Sequence, residues 1–144
     1  RGAKIIHLTP ALFDAKPLQG RLLPIGLASY PKPYEGYDDV LEAYSAWLLN
    51  RRADGWEVID VHGAMKSALA ARRAEKADFT FASDGVHPND EGHAVLARAI
   101  GAAWGLSVGD DGLPAHSRAK EILPLIRKKQ QALKLALLTS TGHK

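Results

Sequence analysis

Cysteine is absent from the 144 residues, which excludes a disulfide framework and any cysteine-ligated metal site. The same absence leaves the redox compartment, and with it the localisation, open. No apolar run is long enough to span a bilayer, so no transmembrane segment is expected. Arg1-Gly2-Ala3-Lys4 leads into a short strand-like run rather than the apolar stretch of a signal peptide. Internal repeats and low-complexity tracts are missing too. So is any serine set in a strand, tight turn and helix with flanking glycines, of the Gly-x-Ser-x-Gly kind. Ser29, Ser45, Ser67, Ser83, Ser107, Ser117 and Ser140 all lack that setting, and Ser83 lies too near Asp84 and His87 to attack beside them.

What is present reads as one soluble globular domain, with 46% hydrophobic and 24% charged residues. The charge is unevenly placed. Residues 1–112 hold 12 Lys/Arg and 15 Asp/Glu, a net of −3, whereas residues 113–144 hold 7 and 1, a net of +6.

Lys4-Ile5-Ile6-His7-Leu8, stopped by Thr9-Pro10, reads as a buried parallel strand. A long loop rich in Pro, Gly and Tyr follows from Ala11 to Tyr37. Asp38 or Asp39 is expected to cap the next helix, with Glu42 completing a capping box after Asp39. Val40, Leu41, Tyr44, Leu48 and Trp47 mark its inner face, and Ala53-Asp54-Gly55 ends it. Trp56–Val61 reads as a second strand. His62-Gly63 turns into a helix from about Ala64 to Lys76 with Met65 and Leu69 inward. A third helix is predicted over about Asn89–Trp104, with Gly105 just past its end. Ser117–Leu138 reads as a further helix interrupted or bounded by Pro124.

Strand–helix–strand–helix order predicts a parallel α/β sheet with right-handed crossovers. Two such strands cannot cover each other, because parallel sheets are buried on both faces. The sequence therefore predicts that this chain is part of a larger sheet. The remaining strands come from upstream sequence, from a separate chain or from a second copy, or else lie unrecognised within residues 11–37.

The chemistry-bearing run is Ser83-Asp84-Gly85-Val86-His87-Pro88-Asn89-Asp90-Glu91-Gly92-His93. An Asp three residues before a His, in a Gly/Pro turn ahead of a helix, lets one carboxylate hold the Nδ1–H of the imidazole. Nε2 is then free to take a proton from a hydroxyl, which is the acid–base half of a serine hydrolase triad. The competing reading is a capping turn, with Asp84 bonding backbone amides. Asn89 or Asp90 suits the N-cap of the following helix, and Glu91 suits its positive end. Asp84, His87 and His93 do not have standard metal-ligand spacing, so no metal is expected and His93 reads as a helix-face histidine. His7 reads as a satisfied core residue, and His62 as a residue within reach of a site rim.

Asp84-Gly85-Val86-His87-Pro88, continued by Glu91-Gly92-His93, resembles the last motif of the SGNH (GDSL-type) hydrolases, a family of serine esterases and lipases. The resemblance runs from about Lys4 to Trp104 and matches the C-terminal half of such a domain. The family's Gly-Asp-Ser, lone Gly and Gly-x-Asn-Asp motifs do not occur in this sequence, so only Asp84 and His87 carry over. The resemblance implies the C-terminal part of a three-layer α/β/α flavodoxin-like parallel sheet. It also implies O-acyl ester hydrolysis without a cofactor, with an acetyl ester on a carbohydrate as one substrate class. Nucleophile and oxyanion hole would come from a complementary N-terminal part of the enzyme, and this chain alone is expected to be inactive. The domain organisation that follows is a half-domain over 1–106, a linker over 107–116 and a helical basic tail over 117–144. A non-catalytic binding module on the same fold is the alternative.

Tyr30, Tyr34 and Tyr37 are candidates to line a substrate pocket by stacking on a sugar or acyl group; the competing reading is that they pin the loop to the body. The basic tail has no aromatic residues for base stacking, so no nucleic-acid partner is expected. Its helix is expected to pack its apolar side on its own domain or a partner and leave Lys and Arg in water; lying on an anionic membrane is the competing reading.

Overall fold

The computed structural model describes residues 2–116, 118–140 and 142. The elements run β1 (Ile6–Leu8), α1 (Tyr37–Asn50), β2 (Glu57–Ile59), α2 (Val61–Glu75), α3 (Asp90–Ala103) and α4 (Ala119–Ser140). The result is a mixed α/β fold built on a two-stranded parallel sheet. Ile6 pairs with Glu57, His7 with Val58 and Leu8 with Ile59. Among the described residues, the segment between β1 and α1 forms no strand. It makes a single isolated bridge, Leu23 with Tyr34, and one short 3-10 turn at Lys16–Leu18.

Both strands are shorter than their apolar runs, and their ends carry out other work. Thr9, the residue after β1, donates its amide to the Ile59 carbonyl at 3.0 Å. Its hydroxyl oxygen accepts from the amides of Val61 and His62, both at 2.9 Å, at the start of α2. Asp60 is the N-cap of α2 and accepts from Gly63 N at 2.9 Å. The helix therefore begins at Val61, three residues before the expected Ala64, and His62 and Gly63 lie inside it. Two caps from different strands satisfy amides that would otherwise be orphaned at a buried helix end.

α1 starts without the expected aspartate cap. Gly36 is its N-cap residue, and Asp38 instead accepts from Phe13 N at 2.8 Å. The inner face also differs. Ser45 is the buried residue of α1, with Leu41 and Leu48 half-buried beside it, whereas Val40, Tyr44 and Trp47 are exposed. Positions 41, 45 and 48 share one stripe and 40, 44 and 47 the next. The chain covers only the first.

The core lies between α2 and α3. Leu12, Met65, Leu69, Phe81 and Val95 are buried together, with Ala68, Phe79 and Leu96 against them. Met65 and Leu69 face inward as predicted. Each such side chain contributes about 1.5–3 kcal/mol through burial. Asn89 caps α3 by accepting from Gly92 N at 3.0 Å, and Gly105 follows its end with φ +68°.

α4 buries none of its residues and runs through Pro124. Its apolar side is not packed on this chain's own body, one of the two coverings expected for it. No helix among the described residues is long and apolar enough to cross a membrane.

Candidate active site

Phe79–Asn89 joins α2 to α3 over the core, and three ties fix its course. Asn89 N donates to Phe81 O at 2.7 Å and Gly85 N to Ala82 O at 3.0 Å, while Gly85 O accepts from Asp14 N at 2.9 Å. Gly85 has φ +78°, and a Cβ there would lie 2.7 Å from the Asp14 carbonyl oxygen and 2.9 Å from Phe13 Cε2. Only glycine meets both demands.

Beneath this loop sits a buried polar clamp. Asp14 is 5% exposed. Arg73 Nη2 bridges its two carboxylate oxygens at 2.8 and 2.7 Å, and Lys16 N donates to Oδ1 at 3.1 Å. Thr80 Oγ1 lies 2.6 Å from Asp14 Oδ2 and accepts from Ala82 N at 3.1 Å. Arg73 Nε donates to Phe79 O at 2.9 Å. The loop is thus anchored to the segment after β1 and to the last turn of α2. A buried carboxylate keeps its charge only when compensated in this way.

On that base stands the Asp84–His87 pair. Asp84 Oδ1 accepts from Val86 N at 3.0 Å and from His87 N at 2.9 Å, which locks the turn. Asp84 Oδ2 lies 2.7 Å from His87 Nδ1. The backbone amide of His87, then its ring N–H, then the amide of Val86 hold the Asp84 carboxyl well below the usual carboxylate range. An ionised carboxylate can only accept, so Nδ1 carries the proton and Nε2 of the neutral ring is the acceptor. Nε2 has no hydrogen-bond partner among the described residues, and the His87 side chain is 84% exposed. One Asp84 oxygen therefore caps the turn, and the other orients the His87 ring.

No serine hydroxyl among the described residues bonds to His87. Ser45 is buried and donates to Leu41 O at 2.8 Å, and Ser140 donates to Leu137 O. Ser117 lies outside the described residues.

The tyrosine loop comes to the same place. Tyr30, Pro31, Lys32, Pro33, Tyr34, Tyr37 and Val86 line an open cavity of about 310 Å³. Val86 is the residue between the turn glycine and His87, while Asp84 and His87 themselves are not among the lining residues. The tyrosines also hold the loop together. Tyr30 and Tyr34 stack with ring centres 3.9 Å apart, Tyr34 lies 5.7 Å from Tyr37, and Tyr37 meets Phe13 edge-on at 5.1 Å. The Tyr30 hydroxyl accepts from Gly26 N at 2.6 Å and Leu27 N at 3.0 Å. Pinning and lining are the same arrangement seen from two sides.

The other histidines lie elsewhere. His93 is exposed on α3. His7 is half-buried and stacks on Trp56 at 4.5 Å rather than sitting in the core. His62 is 3% exposed, with no hydrogen-bond partner for either ring nitrogen among the described residues; Asp38 Oδ2 is 3.9 Å from Nε2. Burial pushes the Asp38 carboxyl up, against the opposing pull of the Phe13 amide. No cluster of three or more His, Asp or Glu suited to a metal occurs among the described residues. His143 lies outside the described residues. Asp14, Arg73 and Thr80 are supporting residues that the sequence reading misses. Nothing local marks them, since they meet across 59 and 66 residues.

No family model matches the chain, and no curated protein matches it. A solved structure of a gut microbial diltiazem-metabolizing enzyme is similar in fold, with a TM-score of 0.57 at 16% identity. The match covers 75% of this chain and 23% of that one, so this chain spans about a quarter of its neighbour's length.

Proposed function

We propose that this chain is the Asp/His-bearing part of an SGNH-type serine ester hydrolase. The observation that carries this reading is the Asp84–His87 pair. It is a 2.7 Å contact on an exposed loop, with Nδ1 committed to the carboxylate and Nε2 open. Support of a coarser kind comes from the fold neighbour, which is an enzyme.

In the complete enzyme a serine hydroxyl supplied by the complementary N-terminal part approaches Nε2. As its oxygen attacks the ester carbonyl, the proton passes to His87, and the carbonyl electron pair moves onto oxygen. Asp84 stabilises the imidazolium so formed. When the tetrahedral adduct collapses, His87 returns that proton to the departing alkoxide, leaving an acyl-serine. Water, deprotonated by the same Nε2, then releases the carboxylic acid and restores the serine. Oxyanion donors come from the complementary part. Tyr30, Tyr34 and Tyr37 would present the cavity wall to the acyl or sugar portion, with an O-acetyl carbohydrate as the substrate class.

The test is p-nitrophenyl acetate hydrolysis by a longer form of the protein that contains the upstream sequence. His87→Ala is expected to reduce kcat by at least about 10³-fold, and Asp84→Asn by up to about 10⁴-fold through the wrong tautomer. Turnover that survives both substitutions sinks the assignment. Carbohydrate or ester binding without any turnover would favour the binding module instead.

A further inference from the structure

We propose that α4 is a surface-seeking helix whose partner is an anionic lipid bilayer, on which it lies without crossing. The helix has 22 residues, none buried. At 3.6 residues per turn, Ile122, Ile126, Leu133 and Leu137 fall within an arc of about 60°. Ile122, Ile126 and Leu133 are 40%, 47% and 48% exposed, so a continuous apolar strip faces water.

Cations edge this strip on both sides. Lys129 flanks it on one side, and Arg127 and Lys134 on the other. Glu121 is the single acidic residue of α4 against five Lys/Arg, and it faces Arg118 at 3.8 Å. Lys120 faces Asp111 at 3.9 Å. Arg127, Lys128, Lys129 and Lys134 have no ion-pair partner among the described residues. Exposed Leu125, Leu135 and Leu138 lie outside this arc, among the cations, so the strip is the densest apolar line of a helix whose long cationic side chains suit a flat anionic interface. The strip enters the acyl boundary, and the ammonium and guanidinium groups reach sideways to the headgroups. The rest of the molecule carries the opposite sign, a net of −3 over residues 1–112. That asymmetry directs α4, rather than the body, toward a negative surface. The absence of aromatic residues in α4 removes base stacking as a competing use.

The experiment is co-sedimentation of the whole 144-residue chain with phosphatidylcholine vesicles, with and without roughly 30% phosphatidylserine. Binding is expected to be at least about tenfold tighter with phosphatidylserine and to weaken steeply as salt is raised toward about 0.5 M. The triple variant R127E/K128E/K129E and the double variant I126S/L133S should each lower it by at least about tenfold. Neither should lower the melting temperature, because α4 buries nothing. Equal or absent binding to the two vesicles overturns the proposal. So does a chain that light scattering shows to be dimeric and that I126S/L133S makes monomeric, since the occupant is then a second copy. Binding to heparin that matches the phosphatidylserine vesicles and ignores I126S/L133S also overturns it, because only charge is then being read.

Discussion

Asp84 shows how one side chain can hold a turn and orient a neighbouring ring together. Its two oxygens divide the tasks, and the three N–H donors around it depress its pKa. The direction of that shift sets the pH window. A carboxyl whose folded-state pKa lies below its unfolded value stabilises the native loop at every pH above the unfolded value, about 3.9 for aspartate. That contribution disappears only as pH falls through the lower, folded-state value. The Asp84 carboxyl carbon shift in an NMR titration is therefore expected to stay flat from neutral pH down to about pH 3. A midpoint near the ordinary aspartate value would mean that the amide and ring contacts do not persist in solution. The Asp–His pair is also the part of the site most legible in sequence, because its geometry is local. Three residues of spacing, a glycine and a proline determine it. Asp38 is the counterexample. Its position before a helical stripe announces an N-cap, but its carboxylate serves an amide 25 residues away, at Phe13.

At the scale of elements, the loop from Phe79 to Asn89 is held by contacts with no local signature, which explains why its support escapes a sequence reading. Asp14 follows a strand that the apolar pattern does reveal, and Arg73 lies on a helix that periodicity reveals. Their meeting depends on how those elements pack. Two substitutions separate the supports. Arg73→Ala leaves the Asp14 carboxylate buried without its cation and is expected to cost about 3 kcal/mol in urea denaturation. Arg73→Lys should recover less than half of this, since one ammonium cannot bridge both Asp14 oxygens and also reach Phe79 O. Full recovery by lysine would show that charge, not the guanidinium geometry, is what the clamp needs. Gly85→Ala tests the loop itself. With φ at +78° and a backbone oxygen 2.7 Å from the new Cβ, it should cost about 2 kcal/mol. In the proposed longer enzyme it should lower kcat at least about tenfold by moving the His87 ring off its line of approach. Unchanged kcat would detach the loop geometry from the chemistry.

At the scale of the whole molecule, large apolar side chains stand exposed around the sheet and on the outer stripe of α1. Ile5 is 70% exposed, Leu8 48%, Trp47 51% and Trp56 39%. Trp47 and Trp56 meet edge-on with ring centres 6.0 Å apart, joining the outer stripe of α1 to the start of β2. Strand order, parallel pairing and the inner core follow from hydrophobic patterning, whereas the identity of α1's inner stripe does not. Both of its stripes are apolar, and pattern alone cannot rank two apolar faces when only one is covered. The small sheet leaves that ambiguity standing: among the described residues β1 pairs with β2 alone, whereas parallel sheets are ordinarily covered on both faces. If upstream sequence completes the sheet, the outer stripe of α1 and the residues flanking β1 become interior. The tryptophans report this directly. Trp104, 53% exposed beyond the end of α3, is removed by Trp104→Phe, and any tryptophan upstream is replaced by Phe in the longer form, so that only Trp47 and Trp56 emit in both. In this chain alone both should be open to acrylamide quenching and emit at long wavelength. In the longer protein quenching should fall several-fold and emission shift to the blue, as for any indole moved from water into a packed interior. Equal quenching in the two forms would mean that the exposed stripe belongs to the finished molecule. The Asp84–His87 loop would then stand on a two-stranded scaffold, with no neighbouring strand to bring a serine to it.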